Sequence, residues 1–373
     1  MSPKRASALT TIAIAAAVLL VIALASSISY EQAERVADRN RFPQIGSSVN
    51  IGGRTLNLDC SGAGQPTVIF ESGSPFPLYN PRQMWERGAP RPGYSWVLVQ
   101  RETAKFTRAC WYDRAGSGWS DLGPYPRTSA AQARDLHALL QAARVPAPYV
   151  LVAEVSAALD ARMFTSLYPS EVSGLVFADG IHPDLLTRAR PGGGRYERVP
   201  KFVGHSQDLS AQIFNQIGFF RLAPSLPAPT PPPRGMTASE WTTIWHLTQA
   251  PKARSALLQE VGALAQSTAE VRAAGTLGDR PLVGISSETT FVPHSVWAEL
   301  QVELSRLSPR GRLVEVKQAT GDLIYQAPGT IVDAVRQVLR ELNATTAHSP
   351  AARLRPSPGT SPTPPSDAPP GDR

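Results

Sequence analysis

Metal-binding and redox side chains are scarce in this chain. Six histidines and two cysteines are spread through 373 residues. No histidine stands at ligand spacing from a cysteine or another histidine, so no zinc-type constellation is written here. Charged residues make up only 18% of the sequence, and the net charge of +7 is scattered rather than gathered into runs. That argues against a nucleic-acid partner, because phosphate backbones are met by clustered Lys and Arg. No glycine-rich loop follows a strand in the pattern that cradles phosphates, so no cofactor is expected. There is no internal repeat. What is present is a chain that is 42% hydrophobic, enough for one large α/β domain with appendages.

The N-terminus carries the longest apolar run. Lys4 and Arg5 close a short basic segment (1–5), and residues 6–28 are almost wholly apolar, close to the roughly 20 residues that cross a bilayer. Ala23-Leu24-Ala25 also has the small-residue pattern of a signal-peptidase site. The run is longer than an ordinary signal core, which favours an uncleaved single-pass anchor; the alternative is a chain secreted after cleavage near Ala25. In both readings the basic flank stays inside and the remainder is exported. Residues 29–46 read as a charged, helix-compatible connector.

From 47 to 342 the hydrophobic period alternates between strand and helix. Gly52-Gly53 marks a hairpin between Ser47–Ile51 and Thr55–Cys60. Pro66–Phe70, Arg108–Tyr112, Tyr149–Val155, Val172–Ala178, Pro281–Ser286 and Arg312–Lys317 read as further strands. Helices are expected at Tyr94–Lys105, Ser129–Ala143, Ala157–Tyr168, Val296–Leu307 and Gly329–Leu342. Between about 182 and 280 the pattern is helical and interrupted: Phe214–Leu222, then a proline-rich connector Ala223–Pro233. Thr237-Ala238-Ser239-Glu240 has capping-box spacing before another helix, and two more follow at Ala253–Ala265 and Thr268–Ala274. Residues 343–373 are rich in Pro, Ser and Thr with no apolar period, the composition of a disordered tail.

The segment Tyr149–Asp179 is a strand, a sharp turn, a helix and a strand. It resembles the nucleophile-elbow unit of the α/β-hydrolase superfamily, in which a strand ends in G-x-S-x-G. Asp113-Arg114-Ala115-Gly116-Ser117-Gly118-Trp119-Ser120 is similar to the D-x-x-G-x-G-x-S loop that follows the fourth strand in many members, where Asp113 and Arg114 are expected to brace the loop. The resemblance implies a doubly wound, mostly parallel sheet with a helical lid inserted after the sixth strand. It also makes the strands of Cys60 and Cys110 neighbours, so the two cysteines can meet as a disulfide; the alternative is a pair of buried thiols.

The same resemblance locates the chemistry and finds it altered. The elbow window is Ala153-Glu154-Val155-Ser156-Ala157: the small flanks remain, but the central residue is Val155, with no nucleophilic atom. Because a β-branched side chain is unfavourable at positive φ, the turn is expected to relax. The base position, Gly-His in the family, reads Gly321-Asp322, and aspartate is too acidic for that role. The acid falls at Thr290 or at Asp179, and Asp179 is the retained candidate. The oxyanion loop is Ser72-Gly73-Ser74, followed by Pro75 and Pro77, which lack donors. These positions imply a pseudo-hydrolase that binds a small-molecule ligand or an envelope protein in the lid-covered pocket. The alternative is an ester or amide hydrolase with a relocated site drawn from Ser156 or Ser74, His182, and Glu154 or Asp322.

Overall fold

The structure, a computed structural model, describes residues 3–74, 90–189, 213–221, 228–288, 292–319 and 321–347. Pro75, Pro77, Thr290, part of the proline-rich connector and the tail beyond Ala347 lie outside the described residues.

Helix α1 runs unbroken from Pro3 to Arg41. The connector expected after residue 28 is therefore largely a continuation of the apolar helix: nothing between Ser29 and Arg41 breaks it. Leu9, Ile12, Ile14, Val18, Leu19 and Leu20 on it are exposed, and it is long and apolar enough to cross a membrane.

Eight strands then build one sheet: β1 (Ser47–Asn50), β2 (Thr55–Ser61), β3 (Thr67–Glu71), β4 (Ala109–Tyr112), β5 (Tyr149–Glu154), β6 (Val172–Ala178), β7 (Leu282–Ser287) and β8 (Gly311–Val316), in the order β1-β2-β4-β3-β5-β6-β7-β8. The β1–β2 and β2–β4 pairs are antiparallel, and every pair from β4 across to β8 is parallel. Helices cover both faces, as a parallel sheet requires. The period of two along β5 shows the division: Leu151 and Ala153 join one apolar cluster with Leu136, Leu140 and Phe164, whereas Val150 and Val152 join the other with Trp96, Val335 and Val338. Burial of each such Val or Leu contributes about 1.5–3 kcal/mol.

Cys60 and Cys110 face each other across β2 and β4 and are bonded, with Cα atoms 4.1 Å apart. The helices between strands are α2 (Val97–Thr103, preceded by a 3-10 turn Gly93–Trp96), α3 (Ser129–Ala142), α4 (Ala157–Leu167) and, past β6, α5 (Leu185–Ala189).

The insertion after β6 contains helices and no strand among the described residues. The capping box is formed: the Glu240 N–H donates to Thr237 Oγ1 at 3.2 Å, and the Thr237 N–H donates to the Glu240 carboxylate at 2.8 Å, opening α6 (Ala238–Gln249). Helix α7 is continuous over Pro251–Ala273, where two helices were expected. The polar Ser267 and Thr268 that looked like a break are accommodated within it. Ser267 Oγ accepts from the Ser129 N–H at 3.0 Å, and Thr268 Oγ1 donates back to the Ala265 carbonyl at 3.1 Å, the local bonding by which Ser and Thr fit a helix interior. Helices α8 (His294–Ser305), α9 (Leu323–Gln326) and α10 (Pro328–Ala347) complete the chain.

Candidate functional site

Val155 stands between β5 and α4 at φ +48°, so the relaxation expected of a β-branched residue has not occurred, although the left-handed region costs about 1–2 kcal/mol for such a side chain. Its backbone is held on both sides: the Val155 N–H donates to the Ala178 carbonyl at 3.0 Å, and its carbonyl accepts from the Ile181 N–H at 2.9 Å. Gly73 packs against the same turn. A Cβ there would lie 2.3 Å from the Glu154 carbonyl oxygen, so only glycine allows the oxyanion loop to approach.

That loop is internally satisfied. The Ser74 N–H donates to Ser156 Oγ at 2.8 Å, so the hydroxyl after the elbow occupies a backbone donor of the loop. Ser72 Oγ donates to the Pro92 carbonyl at 3.2 Å. Ser74 Oγ donates to Glu260 Oε2 at 2.6 Å and accepts from Arg114 Nη2 at 3.1 Å. Arg114 also bonds Asp160 at 2.9 Å and Glu260 at 3.1 Å, tying the loop, α4 and the lid helix α7 together. Burial alone would lower the Arg114 pKa, but Glu260 and Asp160 carry it upward, so the guanidinium stays charged. Asp160 is pushed up to about 6 by burial against the pull of Arg114.

Above the elbow a second arginine bridges two carboxylates. Arg91 Nη1 donates to Glu154 at 2.8 Å, and its Nη2 donates to Asp322; the guanidinium also lies 5.6 Å from the Tyr325 ring centroid. Burial pushes Glu154 up to about 7, with Arg91 opposing and Asp322 adding to the rise. Asp322 sits at φ +52° at the start of α9, after β8. Asp179, at φ +50° after β6, accepts from the Ser287 N–H and hydroxyl, both at 2.7 Å. It is pushed up to about 6 by burial, against the Ser287 hydrogen bonds, and senses the charges of Asp322 and Arg91. Val155, Asp179 and Asp322 thus gather where β5, β6 and β8 end, the edge at which open α/β sheets place ligands.

Other sequence candidates have different surroundings. Asp113 accepts from the Gly93 N–H at 2.6 Å, the Trp119 N–H at 2.9 Å and Asn57 Nδ2 at 3.0 Å, which braces its loop. His182 Nδ1 accepts from the Asp184 N–H at 3.1 Å, and its Nε2 faces Glu303 at 3.6 Å, a surface cluster in place of a serine hydroxyl. Ser74 is 0% exposed and Ser156 8%, and each hydroxyl is engaged in the hydrogen bonds given above. The arrangement therefore has a left-handed turn with a valine at its apex, and a guanidinium shared by Glu154 and Asp322. Sequence reading missed Arg91 and Glu260. Arg91 lies in a proline-rich stretch with no period to place it. Glu260 carried a signal, a carboxylate at helical spacing among Leu257, Val261 and Leu264.

No protein-family model matches the chain. Solved structures align along most of it. A thermophilic esterase from Thermogutta terrifontis superposes with a TM-score of 0.54 at 18% identity, covering 80% of this chain and 99% of its own. The haloalkane dehalogenase DbeA from Bradyrhizobium elkani gives 0.54 at 17%, covering 80% and 98%. With the strand order and the inserted lid, these define the α/β-hydrolase fold; their different activities show that the fold does not choose the reaction. Among curated sequences, the uncharacterized protein YbdG of Bacillus subtilis is 26% identical over 184 residues, 48% of this chain and 49% of that protein. An uncharacterized vacuolar membrane protein of Saccharomyces cerevisiae is 30% identical over 109 residues, 28% of this chain and 17% of that one. The chain spans about half or less of the length of the curated relatives it matches.

Proposed function

We propose that this chain is a membrane-anchored α/β-hydrolase-fold protein that has given up hydrolysis and uses the lid-covered pocket to hold a small ligand or an envelope partner. One observation carries the reading: Arg91 is locked between Glu154 of the elbow and Asp322 at the base position, beside a Val155 that offers no nucleophile. Acyl transfer needs a nucleophile whose proton a neutral base can take. Here both partners of that step are replaced, and loss of one alone costs orders of magnitude. The exported, single-pass orientation is supported by the apolar helix α1, by Lys4 and Arg5 at its start, and by the Cys60–Cys110 bond, which persists in oxidising compartments.

The test is a fluorophosphonate probe and short-chain p-nitrophenyl esters applied to the anchor-bearing protein. The expected result is labelling and turnover at background. Labelling abolished by Ser156→Ala or Ser74→Ala would establish a relocated serine site and overturn the proposal.

A further inference from the structure

A cavity of about 660 Å³ lies between α1, the loop after β4 and the lid segment 213–217, well within the range of ligand pockets. It is separate from the elbow. Ile28 of α1, Leu122, Ile213 and Ile217 give it an apolar wall, and Arg54, Asn215 and Gln259 a polar one. Two of these polar groups are unfinished. Asn215 is 5% exposed, yet among the described residues its Oδ1 has no hydrogen-bond partner, and neither has Arg54 Nη1. Arg54 Nη2 bonds Asp135, which also accepts from Arg127 at 2.7 Å, so among the described residues two guanidiniums share one carboxylate and the balance beside the cavity is positive.

The height of the cavity along α1 is informative. Rising about 1.5 Å per residue, a helix starting at Ala6 covers the roughly 30 Å of a bilayer core by Ser26. Ser27 Oγ bonds the Ile217 carbonyl, and Ile28 is part of the cavity wall. On the adjoining segment Ile213, Phe214 and Phe219 are 47%, 39% and 43% exposed, and the two phenylalanine rings are 4.8 Å apart. An apolar, aromatic-bearing segment at the end of an apolar span matches the composition of a membrane interface.

We infer that this cavity binds an anionic membrane lipid that enters sideways from the bilayer, its acyl end against Ile28, Ile213 and Ile217, its phosphate on Arg54 Nη1, and a headgroup hydroxyl donating to Asn215 Oδ1. The inference rests on the reading of α1 as an anchor. An amphiphile suits the site because one wall is apolar and the other offers a desolvated donor, where an uncompensated polar group is costly until a ligand pairs it.

The experiment uses the full chain in nanodiscs of phosphatidylcholine containing phosphatidylglycerol with a diazirine near the headgroup, with adducts mapped by mass spectrometry. Adducts are expected on peptides carrying residues 122–124 and 213–217, alongside reference adducts at the headgroup-level ends of the apolar run of α1. Arg54→Gln should lower the cavity adducts roughly tenfold, the cost of one charge-assisted hydrogen bond, and Ile217→Trp, which fills the space, should abolish them. Both variants should leave the α1 adducts and the thermal unfolding midpoint in place. Anchor adducts without cavity adducts would overturn the lipid site alone; absence of both would overturn the anchor reading as well. Equal labelling by diazirine phosphatidylcholine would remove the anionic specificity. Competition by glycerol 3-phosphate would reassign the site to a soluble phosphoester and overturn the lipid.

Discussion

Ser156 Oγ lies 2.8 Å from the backbone nitrogen of Ser74 and accepts its hydrogen. The pair joins the start of α4 to the loop after β3, so one backbone donor of that loop is engaged within the protein. Electrostatic stabilisation of a tetrahedral intermediate depends on donors that are free and aimed at the developing charge. On the reading proposed above, this engagement adds to the replacement of the reacting side chains at Val155 and Asp322.

Rebuilding the chemistry should require all of these parts. Val155→Ser alone should show no ester turnover, because a hydroxyl at its free pKa is a poor nucleophile without a base. Val155→Ser with Asp322→His should give a trace. Adding Ser156→Ala, which frees the Ser74 N–H, should raise that trace by about 10²-fold, the typical contribution of one oxyanion donor. Turnover of p-nitrophenyl acetate by the series checks the order.

Arg91 and its two carboxylates should separate by burial. Arg91→Ala strands a buried Glu154 and should destabilise by about 3–5 kcal/mol. Asp322 is half exposed in its pairing, so Asp322→Asn should cost less than about 1 kcal/mol. Chemical denaturation of both variants measures the contrast; equal losses would mean that the Arg91–Asp322 contact is the stronger one.

The strained turn predicts an unusual tolerance. At Val155, glycine relieves the left-handed conformation, offsetting the lost side chain, so Val155→Gly should change stability by less than about 1 kcal/mol. At Val152, fully buried in extended backbone, the same change should cost about 3 kcal/mol or more. If both cost the same, the turn at Val155 is not under strain.

Glu71 makes stability depend on pH. Burial, then the nearby Asp160, push it from its ordinary 4.5 up to about 8, against Arg114 and the hydrogen bond from Tyr112. Between those values the folded state holds a proton that the unfolded state has released, so stability falls as pH rises from about 4.5 to about 8. Glu71→Gln should remove this slope. The variant should gain on the wild type as pH is raised from 5 to 8.5, by a few kcal/mol at most, read from thermal unfolding at each pH.

The Cys60–Cys110 bond closes a separation of 50 residues, for which loop closure predicts about 4 kcal/mol. Reduction, or replacement of both cysteines by alanine, should lower stability by about 2–4 kcal/mol, with the folded far-ultraviolet spectrum retained at low temperature. No change in unfolding midpoint on reduction would mean that the bond does not form in the isolated protein.

Much of the fold was legible because it rests on local regularities. The Val- and Leu-rich run of β5 can bury both faces only between other strands, and the capping box at Thr237 announces α6. The apolar run before Glu31 likewise determined, from composition alone, that one helix is long and apolar enough for a bilayer. Val155 and Asp322 were identified by position in a pattern of neighbours, which also belongs to the sequence. The relations across the chain were decided only by the tertiary structure. Local preference said that a valine would leave the left-handed region. It stays there because its N–H and carbonyl are tied to Ala178 and Ile181, and a turn held at both ends cannot relax on its own. Arg91 meets Glu154 and Asp322 across 63 and 231 residues of sequence, and Ser74 meets Glu260 across 186. A charge carries no record in its own neighbourhood of the partner that folding will bring, so those contacts exist only once the sheet has gathered its strand ends along one edge and α7 has packed over them.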